Sequence, residues 1–472
     1  MKKILFTVGA ALVLLGACKK SDLELFPYNQ VETTQAFNSE GDVQLAVNGM
    51  YAGIRTSTSY YSGTWNILAD VLADNLVLNN SGRLSMKAFY EWRYTGESTY
   101  NLFAHGYTIT RRANAIIENI SKLPKTAFTD NATGEALALR AMTYFDMSRV
   151  YSKTYTNASD ADLTIPYTTT TDPSITPAKE PVKGFYDKVI ADLVQAEALI
   201  NATNGVGRLN KAAVAGLLSR VYFYKGDNAN TITAANRALG TTPNLPNIAT
   251  FPAIWTDATE AGVLFKVKNT SIDNLNALGV NYFQTVAAGV KSEYTIDYSF
   301  FQLFASNDVR KTAYTQTSAF NNVLQNHVIK YKGRVGQPAG VVDAKVIRTA
   351  EVLLNKAEAE YFTNPAAALA DLILLKSNRY TGYVPEVLAG PALLAEIQLQ
   401  RRLELAFEGD RFFDIKRRNA AINRDAVHGE NADGTGKPPV FATMEAGDKR
   451  FLLPYPQAEI NFNTNFTQNP GY

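Results

Sequence analysis

Apolar residues recur every three or four positions over much of this chain, and each such run predicts a helix. The runs are Tyr107 to Leu123, Glu135 to Tyr151, Glu180 to Ile200, Leu209 to Leu239 and Val346 to Arg379. Leu209–Leu239 is interrupted by Gly226-Asp227, a turn signal, so it predicts a helix pair. Val346–Arg379 breaks in the same way at Asn364-Pro365. Strict alternation is confined to short pieces, Val263 to Lys268 and His327 to Lys332, which predict strands. Two long stretches carry neither period. Arg55 to Asn101 is rich in Tyr, Trp, Asn and Gly, and Thr241 to Gln337 in Tyr, Phe and Asn. Asp160 to Pro181 is Thr/Pro-rich and predicts a surface connector.

Within Leu209–Leu239, the positions Leu218, Ser219, Tyr222, Gly226-Asp227 and Ala238 fit a degenerate tetratricopeptide helix pair. Thr231 stands where that motif prefers alanine. Glu135–Tyr151 has the small and aromatic spacing of a further unit. Such units stack because none buries its apolar face alone. The fold class expected is therefore mainly α: a tetratricopeptide-like helical-repeat scaffold over residues 107–239 and 346–418. Long irregular insertions, 55–101 and 241–337, carry short strands. Irregular segments of that length inside a compact domain are usually functional.

The first residues set the destination. Lys2 and Lys3 precede an apolar run, Ile4 to Leu15, too short to span a bilayer. Leu15-Gly16-Ala17-Cys18 fits a lipobox, so residues 1–17 read as a lipoprotein signal peptide and Cys18 as the lipidation site. Cys18 is the only cysteine, which rules out an internal disulfide. Acyl chains on it would anchor the protein at roughly 0.8 kcal/mol per buried methylene. Loss of Lys2 and Lys3 with the leader brings the formal charge from +2 to zero. A neutral chain without a basic run argues against nucleic-acid binding.

Arg401 to Arg418, RRLELAFEGDRFFDIKRR, mixes interleaved charges with Leu403, Ala406, Phe407, Phe412, Phe413 and Ile415. Charges sharing a volume with large apolar groups must be paired. Spacing offers Arg401 to Glu404, Glu408 to Arg411 and Asp414 to Arg418. Gly409 allows a sharp turn between two short helices. The stretch reads as a half-buried ionic clasp.

This stretch resembles the C-terminal signature of the SusD/RagB family of surface nutrient-binding lipoproteins. Arg401, Arg402, Glu404, Leu405, Glu408, Gly409, Arg411, Asp414 and Arg417 occupy its fixed positions. The chain end, LPYPQAEINFNTNFTQNPGY from Leu453 to Tyr472, is similar to the family ending. The resemblance makes residues 18–472 one SusD-like domain, with residues 19–38 as tether and 419–472 as tail. Lys19 to Glu24 resembles the family's short acidic export signal, with two lysines leading and the acids not adjacent.

Catalytic chemistry finds little purchase. His105, His327 and His428 are isolated and read as surface or satisfied core residues. There is no HExxH, G-x-S-x-G elbow or phosphate loop. No catalytic residue, metal ligand or cofactor is assigned. What remains suits sugars, whose C–H faces stack on aromatic rings while hydroxyls pair with Asp, Asn and Arg. The resemblance implies a ligand site built from the two insertions, with Asp74-Asn75 on its border. Trp92 and Tyr94 are expected on one side of an extended segment as a stacking platform. Asp74, Asn75 and Arg83 are candidate hydroxyl partners, and Tyr282 or Tyr298 completes the groove. The implied function is capture of an oligosaccharide at the outer-membrane surface, facing the cell exterior, for a SusC-like TonB-dependent transporter. The competing readings are a peptide ligand, a surface glycoside hydrolase and a protein-binding tetratricopeptide adaptor.

Overall fold

A computed structural model describes residues 36–56, 58, 60–272 and 277–472. The predicted leader, Cys18 and most of the 19–38 tether lie outside the described residues.

The longer helices are α1 (Glu40–Ile54), α2 (Thr64–Val71), α3 (Leu102–Asn119), α4 (Ala127–Tyr151), α5 (Val182–Leu199), α6 (Lys211–Lys225) and α7 (Asn228–Leu239). They continue with α8 (Thr349–Tyr361), α9 (Pro365–Ser377), α10 (Gly390–Glu404) and α11 (Arg411–Arg417). Each predicted helix is present. The signals that end them act as read. Gly226, at φ +76°, closes α6 in the left-handed region, and the Asp227 side chain then caps α7. Asn364 caps α9, with Pro365 in its first turn. A reciprocal cap between Thr126 and Thr129 starts α4.

The scaffold is a row of packed antiparallel neighbours running α1, α3, α4, α5, α6, α7, α8, with α9 and α10 against α8. Helix α4 sits at its centre and is buried on all sides from Gly134 to Tyr151. Polar groups on such a helix must be paired. Arg140 reaches both carboxylate oxygens of Asp192 at 2.7 and 2.8 Å, and Asp146 accepts from the Tyr60 and Tyr61 hydroxyls at 2.6 Å each.

The second insertion lies between α7 and α8, yet α7 and α8 pack directly on each other. The insertion therefore leaves the row and returns without breaking it. It contains β2 (Val263–Val267), β3 (Gln284–Val286), β4 (Gly289–Lys291), β5 (Tyr294–Ile296), β6 (Thr315–Phe320) and β7 (Val323–Val328). The second predicted strand starts earlier than expected, because Val323–Val328 pairs with Thr315–Phe320 as a hairpin while Ile329 leaves the ladder. Strands β3, β4, β6 and β7 form one sheet in that order.

The first insertion carries α2, whose residues Trp65 to Val71 are all buried, and one further strand, β1 (Leu76–Leu78). That strand pairs antiparallel with β5, Leu76 opposite Ile296 and Leu78 opposite Tyr294. The two insertions are thus hydrogen-bonded into one body, with adjoining loops held side by side.

Candidate functional site

The C-terminal signature is buried far more completely than its charge density suggests. Glu404 is fully buried and accepts from three guanidiniums: Arg348 at 2.8 Å, Arg379 at 2.8 and 2.9 Å, and Arg310 at 3.4 Å. Burial alone would raise its carboxyl; Arg379, Arg348 and Arg310 outweigh that and hold it well below the carboxylate range. Arg401 pairs with Asp410 at 2.8 Å and hydrogen-bonds Asn355 on α8 at 2.7 Å. Glu408 meets Arg348 and Lys330 at 2.6 and 2.7 Å. The pairings Arg401–Glu404 and Glu408–Arg411 expected from spacing do not form: Arg401 reaches across the Gly409 turn to Asp410, and Glu404, Glu408 and Arg411 turn to residues distant in sequence. Asp414–Arg418 does form, at 3.0 Å. Gly409 has φ +79°, and a Cβ there would lie 3.0 Å from the Trp65 carbonyl oxygen, so the turn requires glycine.

Two residues expected at the ligand belong to this clasp. Arg411 forms a two-pronged pair with Asp74 at 2.7 and 2.8 Å, and Arg402 reaches the same carboxylate at 3.2 Å. Asn75 is fully buried and bonded to Arg402 at 2.8 Å and Asp70 at 2.7 Å. Asp74 and Asn75 tie the first insertion to the C-terminal helices, with their hydrogen-bonding capacity used inside the protein.

The aromatic platform is also corrected. Trp92 is 4% exposed and Tyr94 3%. Trp92 adopts φ +52°, so Trp92-Arg93-Tyr94 is not extended and the rings do not share one side of a strand. The Trp92 indole N–H donates to the Leu72 carbonyl at 2.8 Å, and Arg424 and Arg450 guanidiniums lie near its ring. Tyr94 stacks on Phe89 and donates to the Arg450 carbonyl. Both rings touch a cavity of about 380 Å³ beside the C-terminal tail, with Gln468 and Tyr472. Tyr282 is fully buried against Tyr331, and burial raises its hydroxyl well above the ordinary value. Tyr298 is half-buried beside Gly434, in the C-terminal segment.

Arg83 stands apart. Its side chain is 61% exposed, and it is ion-paired with Glu293 of the second insertion, which is 3% exposed. Its Nη2 donates to Asn281 Oδ1 at 3.1 Å, and Ser85 donates to the other Glu293 oxygen. The neighbouring Gly82 is required: a Cβ there would lie 2.9 Å from the Glu293 Cα. A groove of about 300 Å³ opens at this point, lined by Arg83, Val280, Gln284, Lys291, Ser292 and Glu293. Phe320, half-buried at the end of β6, has the Lys291 ammonium 6.0 Å from its ring centre. The remaining guanidinium donors of Arg83, the Lys291 ammonium and the Gln284 side-chain oxygen, whose amide N–H donates to the Val280 carbonyl at 2.7 Å, present hydroxyl-binding groups to one opening.

Asn281, Gln284, Lys291 and Glu293 were not among the residues predicted.

Other chemistry stays in the core. His327 is fully buried, bonded to Ser292 Oγ at 2.6 Å, and burial lowers it to about 4. His428 is buried against Asp297 at 2.7 Å. Among the described residues no cluster of His, Cys, Asp and Glu could hold a metal ion, and no helix is long and apolar enough to cross a membrane.

Comparison with known proteins places this geometry. A model of the SusD family matches residues 273–472, and one described as "Starch-binding associating with outer membrane" matches residues 23–223. The chain is 26% identical to SusD-like protein P2 of Formosa agariphila, over the whole of both chains. A putative sugar binding protein from Bacteroides vulgatus superposes with TM-score 0.82 at 26% identity, covering 93% of this chain and 99% of that one. A SusD superfamily protein from Bacteroides thetaiotaomicron gives 0.81 at 26% identity, covering 92% and 100%.

Proposed function

The chain belongs to the SusD/RagB family, and from that premise we propose that it is a cell-surface glycan-binding lipoprotein whose ligand site is the groove around Arg83. The observation that carries the site is the exposed Arg83 side chain, held by the buried Glu293 carboxylate where the two insertions meet. Elsewhere in the insertions the expected site residues Trp92, Tyr94, Asn75 and Tyr282 are buried, and Asp74, largely buried, is held in ion pairs within the protein. In this reading Arg83, Lys291 and Gln284 bind sugar hydroxyls, and Phe320 offers an apolar face to a pyranose ring. The open, shallow form suits a ligand that is held and then released. Affinity is expected in roughly the micromolar to millimolar range, about −8 to −4 kcal/mol.

Delivery to a SusC-like TonB-dependent transporter, with Cys18 acylated and the protein facing the exterior, completes the proposal. It rests on family membership. Binding is non-covalent and uses no cofactor. A glycan array set beside a peptide library tests the ligand class, and incubation with a bound polysaccharide tests catalysis. Selective peptide capture or release of shortened products would overturn this reading. Cys18→Ala should leave the precursor unprocessed and absent from the cell surface; a lipidated, surface-exposed variant would contradict the anchor.

A further inference from the structure

A different cavity, of about 230 Å³, opens between α3, the Thr/Pro-rich connector and the C-terminal helix Gln457–Phe462. Its wall is largely apolar, with threonines of the connector among the lining: Phe103 and Tyr107 come from successive turns of α3, Pro173 and Ile175 from the connector, Phe462 and Phe466 from the tail. Phe462 is 79% exposed at the opening. Three charged side chains line the same cavity: Arg111 one turn beyond Tyr107, Glu459 on the C-terminal helix, and Asp172, whose carboxylate already accepts from the Ser174 backbone N–H and hydroxyl at 2.9 and 2.7 Å. Among the described residues neither Arg111 nor Glu459 makes a hydrogen bond or ion pair through its side chain, and the two do not pair with each other. Glu459 is half-buried, and desolvation raises its carboxyl above the ordinary value, with no compensating cation among the described residues. Every carboxylate of the C-terminal clasp is paired with a cation, whereas Glu459 has no such partner among the described residues.

An apolar cavity with an unmatched anion and an unmatched cation on its wall is complementary to a small molecule carrying both charges and an apolar body. Its volume is below the roughly 300–1,000 Å³ of drug-sized pockets, which favours one small unit over a sugar chain. We infer that this cavity is a second binding site, for an apolar α-amino acid, with the ligand ammonium at Glu459, its carboxylate at Arg111 and its side chain against Phe103 and Phe462. The groove around Arg83 shares no lining residue with it.

Calorimetric titration of the full chain with L-leucine and L-phenylalanine tests this. N-acetyl-L-leucine, L-leucine amide, glycine and glucose serve as comparison ligands. Leucine or phenylalanine should bind. The acetylated and amidated forms, each lacking one charge, should bind about tenfold more weakly or worse. Glycine and glucose should give no signal. Glu459→Gln and Arg111→Gln should each weaken leucine binding about tenfold with the melting temperature kept, since neither side chain has a protein partner to lose. Arg83→Ala should leave leucine binding unchanged. Absence of amino-acid binding, equal binding of N-acetyl-L-leucine, or unaltered binding by Glu459→Gln would each overturn the inference.

Discussion

The clasp and the groove use the same pair of side chains in opposite surroundings. At Glu404 three guanidiniums converge on a carboxylate with no solvent access. At Glu293 a single guanidinium pairs with the carboxylate, and most of that guanidinium faces water. Coulomb attraction is strong in the first setting, and so is the cost of leaving any member unpaired. In the second, solvent screens the pair and leaves donors free for exchange. Burial, rather than residue type, therefore separates scaffold from site in this chain. The family signature lies wholly on the scaffold side.

The contrast is broken most violently at its buried end. Glu404→Ala would strand Arg310, Arg348 and Arg379 together, and a loss on the order of 3–5 kcal/mol is expected in urea unfolding. A loss under about 1 kcal/mol would mean the cluster is not a structural unit. Asp74→Ala comes next, at about 3 kcal/mol, because Arg402 and Arg411 lose their shared partner. Its pH dependence follows from sign. Burial would raise the Asp74 carboxyl, but Arg402 and Arg411 hold it well below the ordinary range. The stabilisation is thus complete above the unfolded value of roughly 4 and fades as pH falls below it. The gap between wild type and Asp74→Ala should narrow measurably from roughly pH 6 to pH 3.

Asp70 sharpens the comparison by reversing the direction. It is fully buried, bonded to Asn75, and lacks a guanidinium partner; desolvation lifts it to about 7. An acid with a raised folded value destabilises once pH exceeds the unfolded value, and the penalty is complete above the folded one. Asp70→Asn should therefore gain stability at pH 8, on the order of 2 kcal/mol, with the gain vanishing near pH 4. A loss at pH 8 would show that the second Asp70 oxygen has a partner the fold depends on.

The helical scaffold was legible because its signals are local. Periodicity, the Gly226-Asp227 turn and the Asn364-Pro365 break act within a few residues of themselves, and each did what its chemistry requires. Helix α1 went unassigned, although Val43, Val47, Met50 and Ile54 form a buried stripe, because glycines and polar residues interrupt it. Ion-pair partners were not legible from spacing. Arg401 and Glu404 are neighbours on one helix yet face different elements, which only the tertiary fold decides. The platform failed for a related reason: the positive φ of Trp92 turns the chain where alternation assumed it straight. Of the expected ligand residues, Arg83 reaches the surface at the junction of the insertions. Nothing in its sequence surroundings distinguishes it from Asp74, which is buried nine residues earlier.

The smallest expected effect on stability is also the most informative. Arg83→Ala removes an exposed member of its pair, and Ser85 continues to donate to Glu293, so unfolding should shift by about 1 kcal/mol or less. Calorimetric titration of this variant with the best-bound oligosaccharide from the glycan array, beside the wild type, tests whether the groove is the site. The expected result is affinity reduced about tenfold or more, roughly 1.4 kcal/mol, with the melting temperature essentially retained. Wild-type affinity in a folded Arg83→Ala protein would contradict it and place the glycan elsewhere on the molecule.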